Sequence, residues 1–221
     1  MGAAIGDILG SAVGVAISPI PVIAVILILF SAKPTANGLS FLLGWIIGLT
    51  VAGGIVLALG LTASDGTASD LSGWIKIAIG LLFLFLGWKD WSSRPRGDEQ
   101  ATMPEWMSAI DEFNSGKSFV AGFVLSALNP KNLGLTIAAM ASVSAAGLST
   151  GEEIGTLCIF VLIASLTVAA PVVMNIIMGS KATKTLTEMQ HWLVANNKVV
   201  MTVLFVVIGA KVLGAGIAIV A

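Results

Sequence analysis

The sequence lacks most of the residues on which metal and redox chemistry depend. It has 221 residues, with one cysteine and one histidine among them. The single cysteine, Cys158, excludes a disulfide within the chain and any CxxC motif. The single histidine, His191, is a poor basis for a histidine metal site or a Ser/His/Asp triad. We therefore expect no metal, no cofactor and no enzymatic activity.

Charged residues are scarce as well. They form 10% of the chain against 57% hydrophobic residues, whereas a soluble domain carries more charge because its surface faces water. The net charge of -1 gives no basic footprint for nucleic acid. The apolar residues form runs of about 20 or more, long enough to cross a hydrocarbon core roughly 30 Å thick. The composition indicates an all-α integral membrane protein, since helices satisfy their own backbone in lipid.

Six transmembrane helices are predicted, separated by polar connectors. Their spans are 5–32, 37–62, 72–91, 117–147, 153–178 and 197–220. The connectors on one side carry most of the basic residues, which are Lys33, Lys89, Arg94, Arg96, Lys117, Lys181, Lys184 and Lys198. The positive-inside rule predicts that this side is cytoplasmic and that both termini of the multi-pass chain lie outside.

Short similarities recur in the same order in the two halves of the chain. The segment Ala16–Pro19 corresponds to Ala127–Pro130, and Leu49–Ala52 recurs as Leu166–Ala169. Spans 3 and 6 share a pattern in which Lys76, Leu82, Phe83, Gly87 and Lys89 correspond to Lys198, Leu204, Phe205, Gly209 and Lys211. A half with three spans is odd-numbered, so the second copy enters the membrane in the opposite sense. Such inverted repeats are typical of transporters whose sites lie at interrupted helices near mid-membrane.

The predicted division of the chain follows this repeat. Residues 1–91 form the first three-helix repeat and residues 117–221 form the second. Residues 92–116 form a cytoplasmic connector, in which Met103–Phe113 has helical spacing of apolar residues. That amphipathic segment fits a helix lying along the membrane surface.

Prolines interrupt helices 1 and 4 at equivalent positions. Pro19 and Pro130 each fall roughly 20 Å into their spans at 1.5 Å per residue. Proline removes one backbone donor and clashes with the preceding turn, so carbonyl groups are freed to bind something else. Pro21 follows in span 1, and Pro171 interrupts span 5. A packing kink would explain one proline, but two equivalent prolines with polar neighbours favour a binding site.

Lys131 is the most informative single residue. It follows Pro130 and is flanked by the amides Asn129 and Asn132. A lysine at mid-membrane costs about 2.5–3.5 kcal/mol on insertion scales, and no acidic residue lies deep inside a predicted span. Two interpretations stay open. Lys131 either reaches an interface or the carbonyls freed by Pro130, or it faces a polar cavity and binds a carboxylate, sulfate or phosphate.

Other polar residues are candidates to line the same cavity. Ser18 precedes the break in span 1, and Asn175 lies four residues after Pro171, hence on one helix face. Thr50 and Thr167 are related by the repeat, and a bond to their own helix backbone is the favoured interpretation for both.

Glycines spaced four residues apart indicate close helix packing. Gly2, Gly6, Gly10 and Gly14 form such a stripe on span 1, and Gly44 and Gly48 form a shorter one on span 2. Small residues of this kind let membrane helices approach closely.

The two proline motifs make the chain similar to the LysE superfamily of small bacterial exporters. The first motif there is often Pro-Gly-Pro and is Pro19-Ile20-Pro21 here, while the second reads Asn129-Pro130-Lys131. The whole chain, including the long connector, most resembles the GAP branch of glycolipid-addressing or sulfolipid-addressing proteins. The resemblance implies export or flipping of a lipid-linked envelope molecule across the bacterial cytoplasmic membrane. Branches that use paired cysteines, histidine clusters or intramembrane acids do not fit this sequence.

The leading hypothesis is therefore a transporter of an anionic glycolipid or similar amphiphile. Lys131 would hold the anionic headgroup, with Asn129, Asn132 and Ser18 hydrogen-bonding nearby. Two alternatives stay open, namely an exporter of a small polar solute such as an amino acid, and an accessory protein that presents lipid without transporting it. The expected partners are the lipid substrate and the bilayer, with a homo-oligomer or contact with envelope-export machinery left open. No ATP-binding motif is present in the sequence.

Overall fold

The described residues are helical and contain no strand. A computed structural model of the chain describes residues 1–59, 70–94 and 113–221. Its helices are α1 (Gly2–Ala16), α2 (Pro19–Ile28), α3 (Pro34–Ala58), α4 (Asp70–Ser92), α5 (Ser115–Phe123), α6 (Pro130–Ala145), α7 (Thr150–Met178) and α8 (Ala182–Val220). A π-helical segment, Val124–Leu128, follows α5, and a 3-10 turn, Gly179–Lys181, follows α7. The all-α prediction is confirmed, while residues 103–112 of the predicted amphipathic segment lie outside the described part.

The described residues of each predicted span are mainly helical, but the last helix begins earlier than expected. It starts at Ala182 rather than at residue 197, because residues 182–198 contain neither proline nor glycine to end it. By length and composition, two helical stretches of the described chain are able to cross a membrane, Pro34–Ala58 and Thr150–Val220. The bent pair α1 and α2 adds a third if it is one span. The count of six spans and their inverted arrangement stay predictions.

Helices break at both predicted proline positions. Ser18 is extended, with φ -97° and ψ 107°, and α2 begins at Pro19 with a bend of 51° from α1. Asn129 is likewise extended, with φ -66° and ψ 119°, and α6 begins at Pro130. Proline pushes the residue before it out of the helical region and is well suited to the first position of a new helix. By contrast Pro171 lies inside α7, which continues through it.

The chain divides into two compact units, and both halves of the sequence contribute to each. The first unit contains residues 1–61 and 102–194, and the second contains residues 62–101 and 195–221. In the first unit, α1 packs against α6 and α7, and α3 packs against α5, α6 and α7. Its core includes the fully buried Phe41, Trp45 and Phe160.

Glycines bring α3 and α5 into backbone contact in the first unit. A Cβ added to Gly44 would lie 2.1 Å from the carbonyl oxygen of Phe119, and one added to Gly122 would lie 2.1 Å from that of Phe41. Gly48 is similarly close to Ser126. The predicted close packing at Gly44 and Gly48 is confirmed. A Cβ on Gly2 or Gly6, in contrast, would meet no described heavy atom within 4 Å.

The second unit pairs α4 with the last part of α8. Gly80 lies against the backbone of Leu213, where an added Cβ would be 2.7 Å from its nitrogen. The rings of Phe83 and Phe205, which correspond in the two sequence halves, have centroids 5.6 Å apart. Two residues that correspond in the two halves thus meet at the packing surface of this pair.

Candidate functional site: a polar junction at the helix breaks

The break between α1 and α2 leaves carbonyl groups at the end of α1 without their usual donors. The carbonyl of Val13 still accepts the N–H of Ile17 at 2.9 Å. The carbonyl of Val15 loses its donor because Pro19 has no N–H. The carbonyls of the last turn of any helix need partners from outside it, and here these include Gly14 and Ala16.

Lys131 supplies one of those partners. Its Nζ donates to the carbonyl oxygen of Gly14 at 2.9 Å, and its side chain is only 7% exposed. No carboxylate of the described residues forms an ion pair with it. A cation at the carboxyl end of a helix is favourable because the helix dipole is negative there. Lys131 therefore bonds to a freed carbonyl, but to one from the first break rather than from the Pro130 break.

Asn132 serves the second break in the same way. Its Nδ2 donates to the carbonyl oxygen of Leu125 at 2.9 Å, and its side chain is fully buried. Leu125 precedes Pro130 by five residues, as Gly14 precedes Pro19 by five. The corresponding carbonyl at each break thus receives a donor from the start of α6. Ser18 joins the two breaks, since its hydroxyl donates to Asn132 Oδ1 at 3.1 Å.

Asn129 lies at the junction in a local role. Its Oδ1 accepts the backbone N–H of Lys131 at 3.1 Å, which caps the first turn of α6. The structure therefore brings together Ser18, Asn129, Lys131 and Asn132. We call these four residues, together with Thr167, the junction.

Thr167, which the sequence makes a candidate for the cavity lining, completes the junction. Its hydroxyl donates to the carbonyl of Ala16 on α1, so the prediction that it bonds to its own helix is wrong. The prediction holds for Thr50, whose hydroxyl donates to Ile46 in the same helix at 2.8 Å. The sequence contains one signal for Thr167: Pro171, four residues later, removes the N–H that would bond its carbonyl.

Asn175 lies apart from the junction. It is eight residues beyond Thr167 on α7, about 12 Å along the helix. Its Nδ2 lies 3.4 Å from Thr35 Oγ1, and both residues line an open cleft of about 680 Å³. The predicted site residues thus separate into the junction and this cleft. Within the described part of the chain, no group of three or more His, Cys, Asp or Glu residues is arranged to hold a metal.

Apolar helices around a buried lysine at paired helix breaks define the chain as a helical membrane protein. The family model of Sap, the sulfolipid-1-addressing protein, matches residues 8–218. The chain therefore belongs to the sulfolipid-1-addressing protein family, a membrane family linked to lipid export. Neither a curated protein nor a solved structure gives a match. The predicted GAP-like family is supported by this match, and membership of the wider LysE superfamily stays a prediction.

Proposed function

We propose that this protein moves an anionic glycolipid or related envelope amphiphile across the bacterial cytoplasmic membrane. The observation that carries the proposal is Lys131, a buried cation held by a carbonyl at a helix break in a chain of the sulfolipid-addressing family. A sulfate or phosphate on a lipid headgroup is the counter-charge that this ammonium lacks among the described residues. Because no carboxylate of the described residues competes there, an incoming anion is the strongest hydrogen-bond acceptor available to Lys131.

In the proposed mechanism the Lys131–Gly14 bond is the resting contact of the site. A headgroup anion replaces the neutral carbonyl as acceptor, and the hydrogen bond to a charged partner is the stronger of the two. The end of α1 then loses its cation and its attachment to α6. Asn132, Ser18 and Thr167 keep the remaining carbonyls bonded, so the exchange disturbs one contact rather than the whole junction.

We further propose that two inverted three-helix repeats provide the moving parts. Two features support this arrangement: both breaks have an extended residue followed by proline at the start of a helix, and corresponding helix pairs pack together. The contact of α3 with α5 corresponds to that of α7 with α1, and α3 with α6 corresponds to α7 with α2. Rocking of one repeat against the other around a fixed site is how such folds alternate access.

We place the protein in the cytoplasmic membrane as a six-span, non-enzymatic transporter with both termini outside, in accord with the basic connectors. The lipid substrate and the bilayer are its proposed partners, and no cofactor takes part.

Flipping by the purified protein is the test. The protein is reconstituted in phosphatidylcholine vesicles with a fluorescent sulfated galactosylceramide, and a membrane-impermeant quencher reports how much lipid changes leaflet. We expect faster flipping than in protein-free vesicles. If the protein does not accelerate flipping but its vesicles transport a radiolabelled amino acid, the protein is a solute exporter and the proposal is overturned. Inactivity toward both would assign a lipid-presenting accessory protein and overturn the proposal.

A further inference from the structure

The cleft beside Asn175 is a second polar feature of the first unit, and it does not involve the junction. Its walls come from the end of α2, the start of α3, the end of α7 and the start of α8. At about 680 Å³ it is large enough for one or two sugar rings, since small-molecule sites commonly measure about 300–1,000 Å³. It is open to the outside rather than enclosed.

The lining combines hydrogen-bonding groups with an apolar wall. Thr35, Asn175, Thr183 and Thr187 supply hydroxyl groups and an amide, and Leu29 and Phe30 supply the apolar side. Thr183 and Thr187 are four residues apart on α8, so they share a helix face. Phe30 is 38% exposed. Neutral hydroxyl and amide groups beside an aromatic ring suit a sugar, which presents hydroxyls on its edge and C–H groups on its face.

The two chain segments that form the cleft are basic. Segments 29–35 and 175–187 contain Lys33, Lys181 and Lys184, and Glu188, which follows the lining residue Thr187, is the one acidic residue next to the lining in sequence. All three lysines are exposed, and each adjoins a lining residue in sequence, namely Pro34, Ser180 or Thr183. Three lysines against one glutamate leave a positive balance, which favours an anionic group on the bound molecule.

We propose that this cleft binds the anionic sugar headgroup of a glycolipid before the lipid reaches the junction. The inference rests on the proposed transport function for the identity of the amphiphile. Both α2 and α7 run between the cleft and the junction, since α2 starts at Pro19 and ends beside Leu29. The basic connectors place the cleft at the cytoplasmic surface, where a newly made lipid exposes its headgroup.

The test measures protection of a cysteine placed in the cleft. Ser180→Cys is nearly isosteric, and it is made with Cys158→Ser because Cys158 is exposed. In nanodiscs, sulfated galactosylceramide at about ten times its Kd should slow maleimide labelling about tenfold, since only the unoccupied fraction then reacts. Uncharged galactosylceramide and sodium sulfate are the comparison ligands. Equal protection by the first would overturn the anionic part of the proposal, and equal protection by the second would overturn the sugar part.

Variants of the lining identify the groups responsible. Asn175→Leu or Thr187→Val, each added to the Ser180→Cys protein, should abolish protection. Thr185→Val is the matched control, since Thr185 is an exposed residue of α8 outside the lining, and it should keep protection. If the sulfated lipid still protects the introduced cysteine from labelling in both lining variants, the cleft assignment is overturned. This conclusion holds even if one of the two variants folds poorly.

The same preparations separate this proposal from the transport function. If the protein flips the lipid but the lipid does not protect the introduced cysteine, the cleft proposal is overturned and the transport function stands. Protection without flipping would overturn transport and leave the cleft as the headgroup site of a lipid-presenting protein. Lys131→Met should lose flipping of the sulfated lipid and keep protection, because Lys131 lies at the junction. Loss of both in a folded Lys131→Met protein would show one site rather than two.

Discussion

At the scale of single residues, the junction is built from donors that meet carbonyls released by two helix breaks. Lys131 and Thr167 each donate to a carbonyl of α1, and Asn132 donates to a carbonyl of the π-helical segment before α6. A buried carbonyl without a donor costs about 1–3 kcal/mol, so these contacts make both breaks tolerable in an apolar surrounding. The polar residues of the junction therefore stabilise the resting structure. Among them, Lys131 carries the charge that an anionic ligand would bind.

Asn132 should matter more for stability than Ser18. Asn132→Ala removes the donor to Leu125 and the acceptor for Ser18, and we expect a loss of about 1–3 kcal/mol. Ser18→Ala removes one contact and should cost about 0.6 kcal/mol, the average for hydrogen bonds between membrane helices. Thermal unfolding in detergent measures both. Equal losses, or a larger loss for Ser18→Ala, would contradict the assigned roles.

At the scale of helices, the two repeat-related threonines differ in what they bond. Thr167→Val should destabilise the fold, because the Ala16 carbonyl loses its donor from α7. Thr50→Val is the matched control, since Thr50 bonds within its own helix and its backbone acceptor keeps an amide donor. We expect a lower midpoint of thermal unfolding for Thr167→Val only. A similar decrease in both variants would show that Thr167 has no special contact.

Helix contact in the first unit depends on glycine at particular positions. Gly44→Ala forces a methyl group against the Phe119 carbonyl and should cost about 1–3 kcal/mol. Gly54→Ala lies on the same helix, with no described atom of a neighbouring element within 4 Å of the added carbon, and it should gain about 0.5–1 kcal/mol from helix propensity. Chemical unfolding in detergent gives both values. A neutral Gly44→Ala would contradict the close approach of α3 and α5.

Periodicity and proline chemistry predict most of the helical residues and the positions at which the first and fourth helices break. The partners at the breaks were not predictable, because they depend on which helix packs beside α1. Lys131 illustrates this. One interpretation of the sequence is a bond to a carbonyl freed by Pro130, but α6 packs on α1, and Lys131 therefore donates to the carbonyl of Gly14. Asn175 was grouped with Lys131 by residue type, although its position on α7 places it in the cleft. The start of α8 is not predictable from hydropathy, because the polar residues 182–196 resemble a connector in composition although they are helical.

At the scale of the whole molecule, the charge distribution and the repeat together predict how the chain lies in the membrane. The connectors of one side hold Lys33, Lys181 and Lys184, and the cleft lies among these segments. Spans 3 and 6 form the second unit, while the remaining spans of both halves form the first. This grouping places helices that the predicted repeat pairs in the same unit, and the inverted arrangement itself stays a prediction.

The orientation is testable with single cysteines. In a Cys158→Ser background, Ala221→Cys should react with a membrane-impermeant maleimide in intact cells, because the positive-inside rule puts the termini outside. Ser180→Cys should react only after the cells are permeabilised. Labelling of Ser180→Cys from outside, with Ala221→Cys protected, would reverse the orientation and place the cleft on the opposite surface.

The central claim is that Lys131 recognises the anionic group of the transported lipid. Its most direct test compares flipping of sulfated and uncharged galactosylceramide by the wild-type protein and by Lys131→Met. A hydrogen bond to a charged group contributes about 1.5–3 kcal/mol, so Lys131→Met should lose about ten- to a hundredfold in preference for the sulfated lipid. Lys131→Arg should keep most of it. An unchanged preference in folded Lys131→Met would contradict the claim.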